Sequence, residues 1–135
     1  MKEDVSLACI GKIRSPLKSL EACPKQGHEG APSARVEILP AFQAAMKGIK
    51  PGDRLVVLTW FHLADRTVLS VHPRHDTSKP KTGVFCTRSP NRPNPLGLHE
   101  TRVVEVDEGA LVVDPLEALD GTPVVDIKVS MSVKM

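Results

Sequence analysis

The sequence has no tyrosine, one tryptophan and three phenylalanines among its 135 residues. A chain of this length forms one domain with a substantial core, so residues 1–135 are treated as a single domain. With so few aromatic rings, the core must be built from valine, leucine, isoleucine and alanine. Abundant valine favours strands, and the 12 prolines and 9 glycines indicate many turns.

Several sequence patterns are also missing. The three cysteines, Cys9, Cys23 and Cys86, form no C-x-x-C pair, which is typical of reduced cytosolic thiols and not of a disulfide framework. No apolar run is long enough to span a membrane, and no signal peptide opens the chain. We therefore expect a soluble, cytoplasmic protein with no membrane partner. Neither G-x-G-x-x-G nor G-x-x-x-x-G-K-[ST] occurs, which argues against a Rossmann cofactor site and a P-loop.

Short apolar segments separated by turn residues make up most of the chain. We expect seven or eight strands, drawn from residues 5–13, 34–39, 54–62, 67–72, 83–86, 98–106, 110–113 and 124–131. Residues 54–62 are apolar on both faces, so this strand is expected to be buried on both sides. One short helix is expected at 41–46, and a long loop at 17–33. Because strands and helices do not alternate, the fold is predicted to be mainly β, an antiparallel barrel or sandwich.

A stiff loop lies within residues 83–98, where three prolines fall within six positions. Proline fixes its own φ and restricts the residue before it, so the loop has a nearly predetermined shape. Four polar side chains stand on it: Arg88, Asn91, Arg92 and Asn94. A preshaped loop with polar groups of fixed direction is a low-entropy way to build a binding site.

Positive charge gathers around this loop, although the formal net charge is only +2. Six basic residues lie between positions 66 and 92, against Asp76 alone, and this suits an anionic partner or a solvated loop equally. Arg14 and Arg88 both end predicted strands and enter proline turns. With Arg92 they either form an anion or nucleotide pocket or tie loops together.

Other candidate chemistry carries less weight. His72 and His75, with His62 and Asp76 nearby, have zinc-ligating side chains, but a surface histidine loop explains them better. Cys86 lacks a positioned base, so it is expected to fill a small pocket in a strand. We therefore predict no metal site and assign no catalytic residue.

Two long blocks, GVFCTRSPNRPNPLGL at 83–98 and LDGTPVVDIK at 119–128, resemble the signature blocks of one family. This is the TrmO/TsaA-like family of S-adenosylmethionine-dependent tRNA methyltransferases, which act on threonylcarbamoyladenosine beside the anticodon. The opening segment 10–16, the Pro-Lys-Gln at 24–26 and Phe61-His62 match it as well. The resemblance covers essentially the whole chain.

The resemblance implies a small single-sheet antiparallel β-barrel that methylates N6 of the modified adenosine of tRNA. It implies a homodimer with S-adenosyl-L-methionine held near the interface. The cofactor contacts it implies are Pro24, Lys25, Gln26, His62, Leu63, Arg88, Leu98, Asp114, Pro115, Leu116 and Glu117. The substrate contacts it implies, with the basic and polar loop groups added, are Arg14, Asn91, Arg92, Asn94, Asp120 and Asp126.

The sequence departs from the family pattern at several points. Lys25 stands where the family has arginine, so a bidentate contact becomes a point charge. Val129-Ser130 stands where the family has Pro-Tyr, and the C-terminal domain that some members carry does not follow. These departures leave two alternatives open: a methyltransferase of the same fold with another substrate, and a non-catalytic nucleotide- or RNA-binding barrel.

Overall fold

A computed structural model describes residues 4–24 and 30–131 of the chain. Within them the backbone forms eight strands: β1 Gly11–Arg14, β2 Ala34–Ile38, β3 Arg54–Trp60, β4 Ser70–Val71, β5 Thr82–Gly83, β6 Leu96–Asp107, β7 Ala110–Asp114 and β8 Pro123–Val129. A 3₁₀ helix at Pro40–Met46 confirms the predicted short helix, with proline in its first turn. Shorter 3₁₀ turns lie at Leu20–Ala22, Pro73–His75 and Val84–Cys86.

Six strands close into an antiparallel barrel in the order β1-β2-β7-β6-β3-β8, while β4 and β5 pair separately. The ring closes where Gly11 of β1 pairs with Val124 of β8. The mainly β prediction is confirmed, and of the two architectures considered, the barrel is the one formed. The turn at Gly109 joins β6 to β7 with φ of 72°, a conformation that glycine adopts without strain.

The barrel interior is aliphatic, as the scarcity of aromatic residues predicts. Inward positions alternate along the strands, so every second side chain enters the core. The buried cluster contains Ile13, Ala34, Val36, Ile38, Leu55, Val57, Val103, Leu111, Val113, Leu116, Ala118 and Val124. Phe42 from the 3₁₀ helix packs against this cluster.

Strand boundaries and faces differ from the predictions in several places. β1 begins only at Gly11: the backbone of Ile10 still bonds Val124 and Leu39, but residues 4–9 belong to no strand and Val5 is 86% exposed. The expectation that residues 54–62 are buried on both faces is wrong. Leu55 and Val57 are buried, but Val56 and Leu58 on the outer face are only half-buried.

The segment before the proline loop also differs. A strand was expected at 83–86, but β5 stops at Gly83 and a 3₁₀ turn follows, which leaves Cys86 exposed. The pairing of β8 with β3 shifts register, because Leu58 and Thr59 of β3 pair with Asp126 and Val124, and the regular alternation of β8 is interrupted. As a result Val124 is in the core and Ile127 packs against it, while Val129 is exposed.

The antiparallel order brings particular loops to one end of the barrel, called here the site end. This end holds the carboxyl ends of β1, β3 and β7 and the amino ends of β2, β6 and β8. The 3₁₀ helix at Pro40–Met46 and the Gly109 turn lie at the opposite end, where Gln43 packs over Gly109. No helix in the described part of the chain is long and apolar enough to cross a membrane.

Candidate functional site

Most of the predicted site residues come together at the site end, although they are scattered along the sequence. Arg14 ends β1, Pro24 lies in the β1–β2 connection, and His62 follows β3. The proline loop leads into β6, and residues 114–120 connect β7 to β8. Lys25 and Gln26 lie outside the described residues. Asp126 is set apart on the exposed surface of β8, where its carboxylate accepts a bond from the Ile127 amide.

A chain of buried polar side chains runs through the barrel at this end. Nδ1 of His99 lies 2.7 Å from Oε1 of Glu117, and Nε2 lies 2.7 Å from the hydroxyl of Thr59. His99 is 1% exposed, Thr59 is fully buried and the Glu117 side chain is 8% exposed. Because buried polar groups require partners, these bonds fix the three side chains relative to one another.

Gly97 makes room for this arrangement. A Cβ atom at position 97 would lie 2.4 Å from the Thr59 hydroxyl, 2.5 Å from Cζ of Phe61 and 2.8 Å from Nε2 of His99. The ring of Phe61 meets the His99 ring edge to face, with centroids 5.9 Å apart. The glycine of the Pro-Leu-Gly-Leu segment is therefore needed for packing inside the barrel mouth.

The β1–β2 connection lies against the segment that carries Glu117. The Asp120 amide donates to the Leu17 carbonyl, and the Leu116 amide donates to the Pro32 carbonyl, both within 3.0 Å. Burial, and after it the negative charge of Glu117, raises the pKa of the Cys23 thiol. Pro24, next in sequence, is thus held near residues 114–117. Within that segment the Leu116 side chain is fully buried in the core, so it is not accessible to a ligand.

Asp120 holds the start of the β1–β2 connection in place. Its carboxylate accepts the Ser15 amide at 3.0 Å and pairs with the Lys18 ammonium at 3.0 Å. These two bonds hold the pKa of Asp120 below its usual value. Arg14 pairs with Glu37 at 2.9 Å and remains half-exposed. An open depression of about 520 Å³ lies here, and its lining includes the cations Arg14, Lys18 and Arg35.

The proline loop holds its own shape through Arg92. The guanidinium donates to the carbonyl oxygens of Ser89, Thr87 and Val84. Arg92 therefore ties the loop together, the second of the two roles considered for the arginines. This internal role leaves less of its donor capacity for a phosphate.

The two asparagines anchor the loop to the residues after β3. Oδ1 of Asn91 accepts the Asp65 amide at 2.9 Å, and Oδ1 of Asn94 accepts Arg66 at 3.3 Å. Arg66 also donates to the Pro93 carbonyl, and its guanidinium stacks 4.9 Å from the centre of the Trp60 ring. The loop is thereby fixed beside the carboxyl end of β3.

Arg88 differs from Arg92, because it is exposed and makes no hydrogen bond or ion pair to any described residue. Its charge is available to a ligand. Leu63 and Leu98 are 59% and 43% exposed. Leu98 points outward from β6, opposite Leu58 of β3, which in turn faces Asp126 of β8.

The histidines considered as metal ligands lie in the loop between β4 and β5. Nδ1 of His72 donates to the Lys79 carbonyl at 2.9 Å, and no three metal-ligating side chains cluster among residues 4–24 and 30–131.

The comparisons with known proteins agree on one family. The sequence model of one protein family, the tRNA-methyltransferase O N-terminal domain, matches residues 12–133 of this chain. The chain belongs to this family. Two similar proteins are named probable S-adenosyl-L-methionine-binding protein: one from Archaeoglobus fulgidus, 45% identical over 92% of this chain, and one from Methanothermobacter thermautotrophicus, 41% identical over 93%.

Solved structures of TrmO are also similar. The crystal structure of TrmO from Pseudomonas aeruginosa matches 97% of this chain with a TM-score of 0.76 and 31% identity. The relatives differ in length: this chain spans 33% of the Archaeoglobus protein, 89% of the Methanothermobacter protein and 56% of the Pseudomonas TrmO chain. The shared part is the tRNA-methyltransferase O N-terminal domain.

Sequence reasoning missed two polar side chains at the centre of this tRNA-methyltransferase O N-terminal domain. His99 and Thr59 were expected only as members of strands, and Glu117 only as one residue of a segment. The sequence signal that could have identified His99 is the two-residue period of strand β6. Gly97, His99 and Thr101 alternate with the exposed Leu96, Leu98 and Glu100 and continue the inward positions of β6. A polar residue at an inward position indicates a buried hydrogen-bonded group.

Proposed function

We propose that the chain binds S-adenosyl-L-methionine at the site end of the barrel and transfers its methyl group to N6 of threonylcarbamoyladenosine, beside the anticodon of tRNA. One observation carries the proposal: in a tRNA-methyltransferase O N-terminal domain, the sequence segments that match the family's cofactor contacts meet at one end of a closed barrel. Sites assembled from loops on a rigid scaffold are typical of enzymes. The reduced thiols and the tRNA substrate are consistent with the cytoplasm.

The residues at the site end fit this cofactor. Exposed Leu63 and Leu98 offer apolar surface to the adenine, and the exposed guanidinium of Arg88, which bonds none of the described residues, offers a bidentate partner for the methionyl carboxylate. Glu117 offers a carboxylate for donor groups of the ligand. The complete set proposed to hold the cofactor is Pro24, Lys25, Gln26, His62, Leu63, Arg88, Leu98, Asp114, Pro115, Leu116 and Glu117.

The proposed mechanism is mainly one of alignment. When bound, S-adenosyl-L-methionine supplies an electrophilic methyl group for in-line displacement by a nitrogen nucleophile. The chain's own residues hold the two partners close and aligned. Arg92 and the two asparagines keep the proline loop rigid, and the hydrogen bond from Ser15 to Asp120 holds the carboxyl end of β1 beside the amino end of β8. No residue is assigned as general base.

For tRNA we propose the basic depression around Arg14, together with Lys79 and Lys81 of the basic loop between β4 and β5. Arg14, Lys18 and Arg35 line it. Each is paired with a carboxylate, of Glu37, Asp120 and Asp107 respectively, but all three side chains are at least 40% exposed and so can also contact phosphates, and such contacts are independent of sequence. Asn91, Asn94 and Asp120 support this surface more than they contact the RNA, because their carbonyl or carboxylate oxygens already accept protein donors. Asp126 lies away from the depression.

We further propose a homodimer through the outer face of β8, β3 and β6. Leu58, Leu96 and Leu98 expose apolar surface there. Leu98 belongs to both this face and the proposed cofactor set, so the second copy would lie beside the cofactor. Light scattering, which measures the molar mass in solution, tests the proposal on the wild type and on Leu96→Glu. The wild type is expected to be a dimer and the variant a monomer, and a monomeric wild type contradicts the proposal.

The activity is tested by incubating the purified protein with methyl-labelled S-adenosylmethionine and tRNA that carries threonylcarbamoyladenosine. Nucleoside mass spectrometry should show conversion to the N6-methylated nucleoside, with Arg88→Met as a variant that loses cofactor affinity. If label enters tRNA lacking the modified nucleoside to the same extent, the specific substrate assignment is wrong.

A methyltransferase of the same fold with another substrate is the second candidate function. Val129-Ser130 in place of the family's Pro-Tyr favours it. Cofactor binding without methylation of threonylcarbamoyladenosine in any tRNA would support it, provided that label enters another nucleic acid or protein fraction. Cofactor binding with no methyl acceptor at all would support the third reading, a non-catalytic binding barrel.

A further inference from the structure

The buried chain Thr59–His99–Glu117 has a defined direction. An ionised carboxylate only accepts hydrogen bonds, so Nδ1 of His99 carries a proton and donates to Oε1 of Glu117. On the other side, the Thr59 hydroxyl either donates to Nε2 or accepts from it, because a hydroxyl rotates to suit its partner. In both cases, the Nδ1–H bond to Glu117 is retained.

His99 is also fixed from the remaining directions. The Phe61 ring meets it edge to face, and the backbone of Gly97 packs beside Nε2, where a Cβ atom would not fit. The ring cannot turn without breaking both hydrogen bonds. Glu117 therefore receives its donor from a group whose position is set by Thr59 of β3, Gly97 of β6 and Phe61, which follows β3.

Glu117 is the outer member of the chain and stands in the β7–β8 connection at the site end. Its second oxygen, Oε2, makes no hydrogen bond to any residue within 4–24 or 30–131, and it is not among the fully enclosed polar atoms. A side chain that is 8% exposed and whose second charged oxygen is bonded by none of the described residues is poorly explained by stability within that part of the chain. It is well explained by a ligand that supplies the missing donor.

We propose that His99 is a positioning residue for the adenosyl ligand. It holds Oε1 of Glu117 so that Oε2 is presented at the site end as an acceptor for the ammonium or a ribose hydroxyl of the ligand. This inference rests on the proposed function and extends it to a residue that touches no ligand, His99.

Four variants separate positioning from simple stability. His99→Leu removes both hydrogen bonds, and His99→Asn restores an amide donor near the position of Nδ1. Thr59→Val removes only the bond on the far side, as a matched buried control. Glu117→Gln keeps the acceptor for His99 and replaces Oε2 by an amide donor. Each is measured by calorimetry with S-adenosylmethionine and 5′-methylthioadenosine, alongside amide hydrogen exchange of residues 115–118.

We expect the dissociation constant for S-adenosylmethionine to rise at least about tenfold in His99→Leu and Glu117→Gln, and to stay within about threefold in His99→Asn and Thr59→Val. Faster exchange at residues 115–118 should accompany only His99→Leu. A matching loss for 5′-methylthioadenosine in Glu117→Gln assigns the donor to the ribose, and an unchanged value assigns it to the ammonium.

Two results would overturn the inference while leaving the proposed function standing: wild-type affinity in both His99→Leu and Glu117→Gln, or an equal loss in Thr59→Val and His99→Leu, which marks a merely structural network. Absence of S-adenosylmethionine binding by the wild-type protein would overturn the proposed function, and this inference with it.

Discussion

The amide of Ser15 donates to Oδ1 of Asp120 at 3.0 Å, although 105 positions separate the two residues in sequence. Ser15 follows β1 and Asp120 precedes β8, so the bond closes the barrel just beyond its last strand pair. Oδ2 of the same carboxylate pairs with Lys18 at 3.0 Å. Asp120 is thus both a turn residue, as its Asp-Gly-Thr-Pro context predicts, and a clamp on the β1–β2 connection.

Asp120→Asn should destabilise the protein in a pH-dependent way. The bonds from Ser15 and Lys18 lower the folded-state pKa of Asp120, so its contribution is fully present above the unfolded-state pKa of an aspartate. That contribution is lost as the pH falls through the lowered pKa. Urea unfolding at pH ~7 and pH ~2 measures it. The variant should be less stable than the wild type at the higher pH and equal to it at the lower. An identical deficit at both pH values would contradict the role.

Removing Arg92 should loosen the proline loop, whereas removing Arg88 should not. Arg92→Met leaves three carbonyl oxygens without their charged donor, and a loss of about 2 kcal/mol in the free energy of unfolding is expected. Arg88→Met, at an exposed position without described partners, should stay within about 0.5 kcal/mol of the wild type.

Calorimetry distinguishes the two arginines further. Arg88→Met should lose affinity for S-adenosylmethionine at unchanged stability, because its proposed contact is to the ligand. Equal stability of the two variants would remove the structural assignment of Arg92.

Gly97→Ala should cost about 1–3 kcal/mol of unfolding free energy, because the new methyl group overlaps Thr59, Phe61 and His99. Gly83→Ala is the matched control. Its backbone has φ of −62°, and the nearest atom to the added Cβ would be the Leu69 carbonyl oxygen at 4.0 Å. Thermal unfolding of both variants measures the difference, and a Gly97→Ala melting temperature equal to that of the control would show that the barrel mouth has spare room.

Cys23 should report occupancy of the site. Burial and the Glu117 charge raise its pKa, so it should be alkylated by iodoacetamide more slowly than the exposed Cys9 at neutral pH. S-adenosylmethionine bound near residues 114–117 should slow Cys23 further and leave Cys9 unchanged. Peptide mass spectrometry measures both rates. Equal slowing of the two thiols, or none at Cys23, would argue against a ligand at this position.

The strand pattern predicted most of the fold. The apolar segments are separated by turns whose residues determine their conformation, such as Gly109, and hairpin partners are close in sequence. β1 was extended too far because Val5 and Leu7 continue an apolar pattern that no neighbouring strand pairs. The shift in β8 was not predictable, because it depends on how Asp126 and Val124 align with β3, which is distant in sequence.

The candidate site was predicted as a list and not as an arrangement. Motifs identified Arg88, Asp120 and Glu117, but only the strand order brings the β1–β2 connection against residues 116–120. The role of Arg92 required the carbonyl oxygens of its own loop to be located. His99 required partners 40 and 18 positions away, in Thr59 and Glu117, which no local pattern indicates.

The central claim is that S-adenosylmethionine binds at the site end of this barrel. An amide NMR titration of the isotopically labelled protein tests it most directly. Saturable shifts are predicted at the site end, at Leu63, Gly97 and Glu117 among others, with little change at Gly109 and Gln43 at the opposite end. The absence of saturable shifts, or shifts confined to the Gly109 end, would contradict the account.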